Sequence, residues 1–251
     1  MSSARPQQRI RLDELLVRRG FYAARSRARD AVLRGTVAVS GVTATKPGQP
    51  MDPDARIEVR DDARSYVSRA ALKLIDALDH FEWSPEGLNA LDIGASTGGF
   101  TQVLLERGAR HVIAIDVGHG QFAAHLSDDP RVTAIEGLNA RDLTAEHVGA
   151  PPQFITADVS FLSLKLALPR ALDLAAPSAK LVALIKPQFE VGRDGIDRSG
   201  IVTDPSLRER ACNEIAQFLV DQGWTVVGVV PSPIEGGDGN KEFLIAAEKP
   251  C

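Results

Sequence analysis

Between residues 68 and 251, five short apolar runs alternate with stretches of helical periodicity. The runs are LNALDIG, HVIAIDVG, RVTAIEG, QFITADVS and LVALIKP. They are rich in β-branched residues and too short for helices, so they read as strands. Helical segments such as SRAALKLIDALDHF, FTQVLLERG and SLKLALPRALDLA separate them. Strands that are apolar on both faces and joined through helices imply a mostly parallel sheet covered on both sides, a Rossmann-like α/β fold. A long amphipathic segment, LRERACNEIAQFLVDQGW, precedes two further runs, TVVGVVPSPI and EFLIAAE, with no helix between them. Those two predict a terminal antiparallel pair and bring the sheet to seven strands.

The first sixty residues follow another pattern. RLDELLVRRG places Leu12, Leu15 and Leu16 at helical spacing before Gly20, and ARSRARDAVLRG places Ala24, Ala28, Ala31 and Val32 on one face before Gly35. TVAVSGVTA reads as two strands around a Ser40-Gly41 turn, KPGQPMDPD as a loop and RIEVR as a closing strand. The chain is expected to carry a small α+β module at 1–60, a linker at 61–67 where periodicity lapses, and the α/β domain at 68–251. Residues 1–64 hold thirteen Lys+Arg against eight Asp+Glu, a net of +5, while the rest of the chain carries −9. A basic module on an acidic body suits a polyanion, with a partnerless basic tail as the alternative. No apolar run reaches the ~18–20 residues of a membrane helix, and the N-terminus has no apolar signal core. Two cysteines, Cys212 and Cys251, make no disulfide framework, so a reduced cytoplasm is expected. Neither they nor the histidines show metal-ligand spacing, and no metal is expected.

LDIGASTGGF turns from a strand into a helix through three glycines, where open α/β sheets bind ligands. Ser96 breaks the dinucleotide spacing G-x-G-x-x-G, and Asp92 puts a carboxylate where a pyrophosphate binder would not want one. A second acid, Asp116, ends the next strand at about the spacing at which a carboxylate meets an adenosine ribose. Together these favour S-adenosylmethionine over NAD. The candidate cofactor residues are Asp92, Gly94, Ala95, Ser96, Gly98, Gly99, Asp116, Asn139 and Asp158. Asn139 reaches the adenine edge or is an ordinary turn residue.

If a methyl group is transferred, the acceptor is expected to be a hydroxyl. The loop after the fourth strand reads ADVSF, without the prolines of amine methylation on bases, and neither cysteine is placed as a nucleophile. A sugar hydroxyl needs its proton removed or oriented, which a lysine of lowered pKa can do. Lys186 ends an apolar strand and is followed by Pro187. Asp158 ends the neighbouring strand, Lys73 lies on the helix leading into the domain, and Glu242 begins the last strand.

The series VSRAALKL, LDIGASTGGF, ADVSFLSL, LIKPQFEVG and GNKEFL resembles the TlyA family of ribosomal RNA 2′-O-methyltransferases, historically called haemolysins, whose catalytic domain is FtsJ-like. The resemblance covers nearly the whole chain. It implies a Lys-Asp-Lys-Glu tetrad, here Lys73, Asp158, Lys186 and Glu242, with Glu235 and Glu190 as competitors for the last place. It implies S-adenosylmethionine as cofactor, and ribosomal RNA or ribosomal subunits as partner. ARSRARDAVLRGTVAVSG is similar to the RNA-binding fold of ribosomal protein S-four, which makes Arg11, Arg18, Arg19, Arg25, Arg27, Arg29, Arg34 and Lys46 candidate phosphate contacts. The chain lacks the extra C-terminal helix of longer members, which implies a cytidine of large-subunit RNA before one of small-subunit RNA. An RNA-binding protein with an inactive methyltransferase fold and a membrane-active haemolysin are the other function classes.

Overall fold

A computed structural model describes residues 9–251, so the first eight residues of the expected N-terminal module lie outside the described part. The chain forms two compact units, residues up to Ser65 and Tyr66–Cys251. The division falls within the expected linker, but neither end of that stretch is slack. Asp61 is part of the first unit: its carboxylate is 1% exposed and accepts hydrogen bonds from Arg34 and Tyr22. Val67 is part of the second, its N–H donating to Gln102 at 2.9 Å. The first unit therefore extends past residue 60.

In the first unit, helices α1 (Leu12–Arg18) and α2 (Arg25–Leu33) bury Leu12, Leu16, Ala28, Ala31 and Val32 against Val37 and Val39. Strands β2 (Val37–Val39) and β3 (Val42–Thr43) form the expected hairpin, and β5 (Ile57–Val59) pairs with the other side of β2. A further pairing was not legible: β1 (Ile10–Arg11) with β4 (Pro50–Met51), two residues each.

The second unit is a seven-stranded sheet. Its strands are β6 (Asn89–Ile93), β7 (His111–Asp116), β8 (Val132–Glu136), β9 (Phe154–Ala157), β10 (Lys180–Ile185), β11 (Thr225–Pro231) and β12 (Phe243–Glu248), in the order β11-β12-β10-β9-β6-β7-β8. All neighbours are parallel except β12, which is antiparallel to both β10 and β11. Helices α3 (Ala71–His80), α4 (Gly99–Glu106), α5 (Ala124–Ser127), α6 (Ala145–Val148), α7 (Leu164–Ala167), α8 (Pro169–Leu174), α9 (Pro187–Glu190) and α10 (Pro205–Asp221) complete the unit. The segment read as one helix from SLKLALPRALDLA is broken into α7 and α8, with Pro169 opening the second.

Successive strand residues point to opposite faces, and each face has its own core. Leu91, Ile93, Ile113, Ile115, Leu181 and Ile185 join one cluster with Leu164, Leu168, Ile215 and Leu219. Ala90, Val112, Phe154, Val182 and Leu184 join the other with Leu74, Leu78, Phe100 and Leu104. The chain reverses its direction of growth at β6, which has β7 on one side and β9 on the other. At such a switch point the loops after the two strands part and leave a crevice.

Candidate active site

At that switch point, Gly94 follows β6 with φ +79°, and a Cβ added there would lie 2.5 Å from the Asp158 carbonyl oxygen. Only glycine lets the two strand ends come so close. The crevice above them has a volume of 540 Å³. Of the candidate cofactor residues, Gly94, Ser96, Asp116, Asn139 and Asp158 line it, together with aliphatic walls from Ile115, Leu138 and Val159. Asp116 accepts from the N–H groups of Ser96 at 2.8 Å and Gly118 at 2.7 Å. A carboxylate has about four acceptor sites, so Asp116 keeps capacity for a ligand. Asn139 serves as a turn residue, its Oδ1 accepting from the Arg141 N–H at 3.0 Å, and it also lines the crevice. Glu136, unremarked in the sequence, accepts from the N–H groups of Gly120, Gln121 and Phe122. Those bonds hold its pKa below the usual range and order the loop after β7.

The other cofactor candidates are placed differently. Asp92 is fully buried. It is the penultimate residue of β6, not the last, so the alternation of the strand turns it under the helix layer. There Thr101 on α4 and Thr156 on β9 donate to its two oxygens at 2.7 and 2.9 Å. Burial raises its pKa to about 6 against those hydrogen bonds. Ala95 is buried and its N–H bonds to the Ile115 carbonyl. Gly98 precedes α4, where a Cβ would meet Leu126 at 2.5 Å, and at Gly99 it would meet Ser68 at 2.9 Å. None of these four lines the crevice.

The four tetrad residues form two ion pairs. Lys186 Nζ lies 2.6 Å from Asp158 Oδ1, a charge contact, and donates an aligned hydrogen bond to Ser160 Oγ at 2.8 Å. Lys73 donates to Glu242 in a short, buried contact. Sheet register brings the two pairs side by side. Ile185 pairs with Phe243, so Lys186, one residue beyond, lies beside Glu242, one residue before. Lys73 falls on the face of α3 that carries Ala71, Leu74 and Ala77 into the core. A second cavity, of 390 Å³, is lined by Lys186, Glu242, Gln188, Phe189, Ser160 and Phe161 among others. Lys73 lines neither cavity and meets Glu242, which lines the second. Of the competitors, Glu190 is held by Ser163 and the Leu164 N–H, and Glu235 is exposed.

Ser160 and Phe161 line both cavities, so their loop is the wall between them. Phe161 is 91% exposed and has φ +62°, a conformation a bulky residue rarely adopts. Its ring lies 5.3 Å from that of Phe189. Strain and exposure together make Phe161 a candidate functional position. The motif ADVSF contained both residues, but the sequence carried no sign of the unusual backbone.

The basic candidates of the first unit separate by burial. Arg11 and Arg25 both meet Asp13, and Arg18 meets Glu14, with side chains more than half exposed. Arg19 and Arg27 donate to the carbonyls of Ala55 and Ala63. Arg29 and Lys46 are exposed and form no ion pair with the other described residues. Arg34 is different: its guanidinium is largely buried between Asp30 and Asp61. That arginine is structural, which corrects its expected role as a phosphate contact. Among the described residues no group of acidic, histidine and cysteine side chains could hold a metal ion, and no helix is long and apolar enough to cross a membrane.

A parallel sheet with one reversed strand, a crevice at its switch point and a paired lysine beside it define a Rossmann-like methyltransferase. Residues 66–249 match the family described as FtsJ-like methyltransferase, and residues 10–57 the S4 domain. The chain is 45% identical over 239 residues to the 16S/23S rRNA (cytidine-2′-O)-methyltransferase TlyA of Mycobacterium tuberculosis, covering 95% of this chain and 89% of that one. It is 36% identical over 180 residues to the 23S rRNA (cytidine-2′-O)-methyltransferase TlyA of Campylobacter jejuni, covering 71% and 69%. A solved protein of Streptococcus thermophilus that carries a hemolysin name superposes with a TM-score of 0.76 at 40% identity, over 97% of this chain and 90% of that one. The chain belongs to the TlyA family of FtsJ-like methyltransferases, with an S4 domain at its N-terminus.

Proposed function

We propose that this protein methylates the ribose 2′-hydroxyl of a cytidine in ribosomal RNA, using S-adenosylmethionine in the cytoplasm. The observation that carries the reading is the Lys186–Asp158 pair: Asp158 lines the first cavity, Lys186 lines the second, and Ser160 and Phe161 form their common wall. A donor site and an acceptor site are thereby joined at a lysine. The preferred substrate is 23S RNA, which the names of both curated relatives contain, with 16S RNA as a second target.

The lining of the first cavity fits an adenosine-bearing methyl donor. Asp116 has spare acceptor sites for a ribose diol, the aliphatic walls suit adenine, and Asp158 offers negative charge to an ammonium. When bound, S-adenosylmethionine supplies a methyl group activated by its sulfonium. The chain's own residues prepare the other reactant. Lys186, once it has given a proton to solvent and stands as the neutral amine, orients the 2′-hydroxyl and receives its proton as the oxygen takes the methyl group. Asp158 and Ser160 fix the lysine head group. Glu242, held by Lys73, forms the wall next to Lys186 and helps place the ribose there. Much of the acceleration comes from this positioning. Arg29 and Lys46 grip phosphates without reading sequence, and the exposed Arg11, Arg18, Arg19 and Arg25, with the half-buried Arg27, can exchange their present partners for phosphate.

The test is transfer of labelled methyl from S-adenosylmethionine to purified ribosomal subunits, with the labelled nucleotide mapped. Lys186→Ala is expected to abolish transfer and spare cofactor binding. No label from the wild-type protein would leave an RNA-binding protein with an inactive fold. Lysis of erythrocytes by the purified protein would favour a haemolysin.

A further inference from the structure

Among the described residues, two buried side-chain oxygens lack a hydrogen-bond partner: Asp158 Oδ1, which faces the Lys186 ammonium, and Gln188 Oε1. Gln188 lines the second cavity beside Lys186 and Glu242, and it does not line the first. It follows Lys186 by two residues, in the short helix α9. A buried carbonyl without a donor is costly, and an orphan of this kind in a cavity marks a place where a ligand supplies the missing group.

The identity of that group follows from what a nucleotide can donate. Within an RNA chain the phosphate, the 3′ and 5′ oxygens and the ring oxygen carry no hydrogen to give. The donors are the 2′-hydroxyl and the N–H groups of the base. Lys186 takes the hydroxyl in the reaction proposed above, which leaves the base. The cavity also has the apolar surface a base requires, from Phe161 and Phe189. Cytosine presents a 4-amino donor, whereas uracil presents a carbonyl in the same place.

We propose that Gln188 is a specificity residue: its Oε1 accepts from the 4-amino group of the target cytosine and so selects cytidine over uridine. The inference rests on the methyl-transfer reading and adds to it a means of choosing the base. With the amide oriented as it is here, a uridine would set one carbonyl against another and leave both unpaired.

The test compares kcat/KM on ribosomal subunits carrying either the mapped target cytidine or a uridine at that position. Wild-type protein is expected to prefer cytidine by about ten- to a hundredfold. Gln188→Met keeps the length of the side chain and removes its acceptor. It should lower the rate on cytidine, raise the rate on uridine by removing the opposed carbonyl, and bring the ratio to within about threefold. Unchanged S-adenosylmethionine binding in that variant confirms an intact fold. A Gln188→Met protein that keeps the wild-type ratio, or a wild-type protein indifferent to the base, overturns this inference alone. Failure to methylate any 2′-oxygen overturns the inference together with the reading beneath it.

Discussion

Asp92→Asn should make the methyltransferase unit more stable at pH 8 and less stable at pH 4. Asp92 is fully buried, and desolvation lifts its pKa from an ordinary 3.8 to about 6 despite two hydroxyl donors. The folded state therefore holds a proton that the unfolded chain has released. The stabilisation is fully present below pH 3.8 and is lost as the pH rises through about 6. Two pH units correspond to about 3 kcal/mol. Asparagine keeps the shape without the charge, but one of Thr101 and Thr156 must then accept instead of donate, a loss of about 1 kcal/mol. The net expectation is about 2 kcal/mol of added stability at pH 8, reversing to a deficit of about 1 kcal/mol at pH 4. Urea unfolding followed by tryptophan fluorescence measures this in the intact chain. Its two tryptophans, Trp83 and Trp224, are both buried in the second unit, so the signal reports that unit alone. Other carboxylates titrate in the same range, so the quantity to plot is the difference between variant and wild type. A difference independent of pH from 4 to 8, or a less stable variant at pH 8, would refute the argument.

Lys186→Met should lower kcat by about 10²–10⁴, the usual range for a lost acid–base group, with cofactor affinity by calorimetry unchanged. Gly236→Ala would set a Cβ 2.7 Å from Glu242 Oε1 and 2.8 Å from Asp238 Oδ1. It should displace Glu242 from Lys73, cost about 1–3 kcal/mol in urea unfolding and depress methyl transfer. Arg34→Ala strands the buried Asp61 carboxylate and should cost the first unit about 3 kcal/mol, read as lost amide exchange protection in α2. Arg29→Ala and Lys46→Ala should instead leave that protection intact. Each should weaken ribosomal RNA binding and reduce the slope of log affinity against log salt by about one.

Local pattern carried the fold. Apolar runs of strand length separated by helical periodicity specify a parallel sheet because only that arrangement buries both faces of each run. The final two runs, with no helix between them, formed the antiparallel pair β11–β12 for the same reason. Chemistry at strand ends was also legible: Asp116, Asp158 and Lys186 stand where a strand meets the loops above the sheet, and the family resemblance joined the last two with Lys73 and Glu242 in a tetrad. Contacts that depend on register were not legible. A shift of one residue turned Asp92 from a ligand group into a buried carboxylate held by two threonines. Arg34 and Asp61, 27 residues apart, found each other only when the first unit closed around them. Gln188 has no sequence mark at all, because an unpaired oxygen is defined by what surrounds it. Sequence determines which residues can be buried and which can carry charge. Only the packed structure decides which polar atoms find partners, since a hydrogen bond needs two groups within about 3 Å and chain spacing sets no such distance.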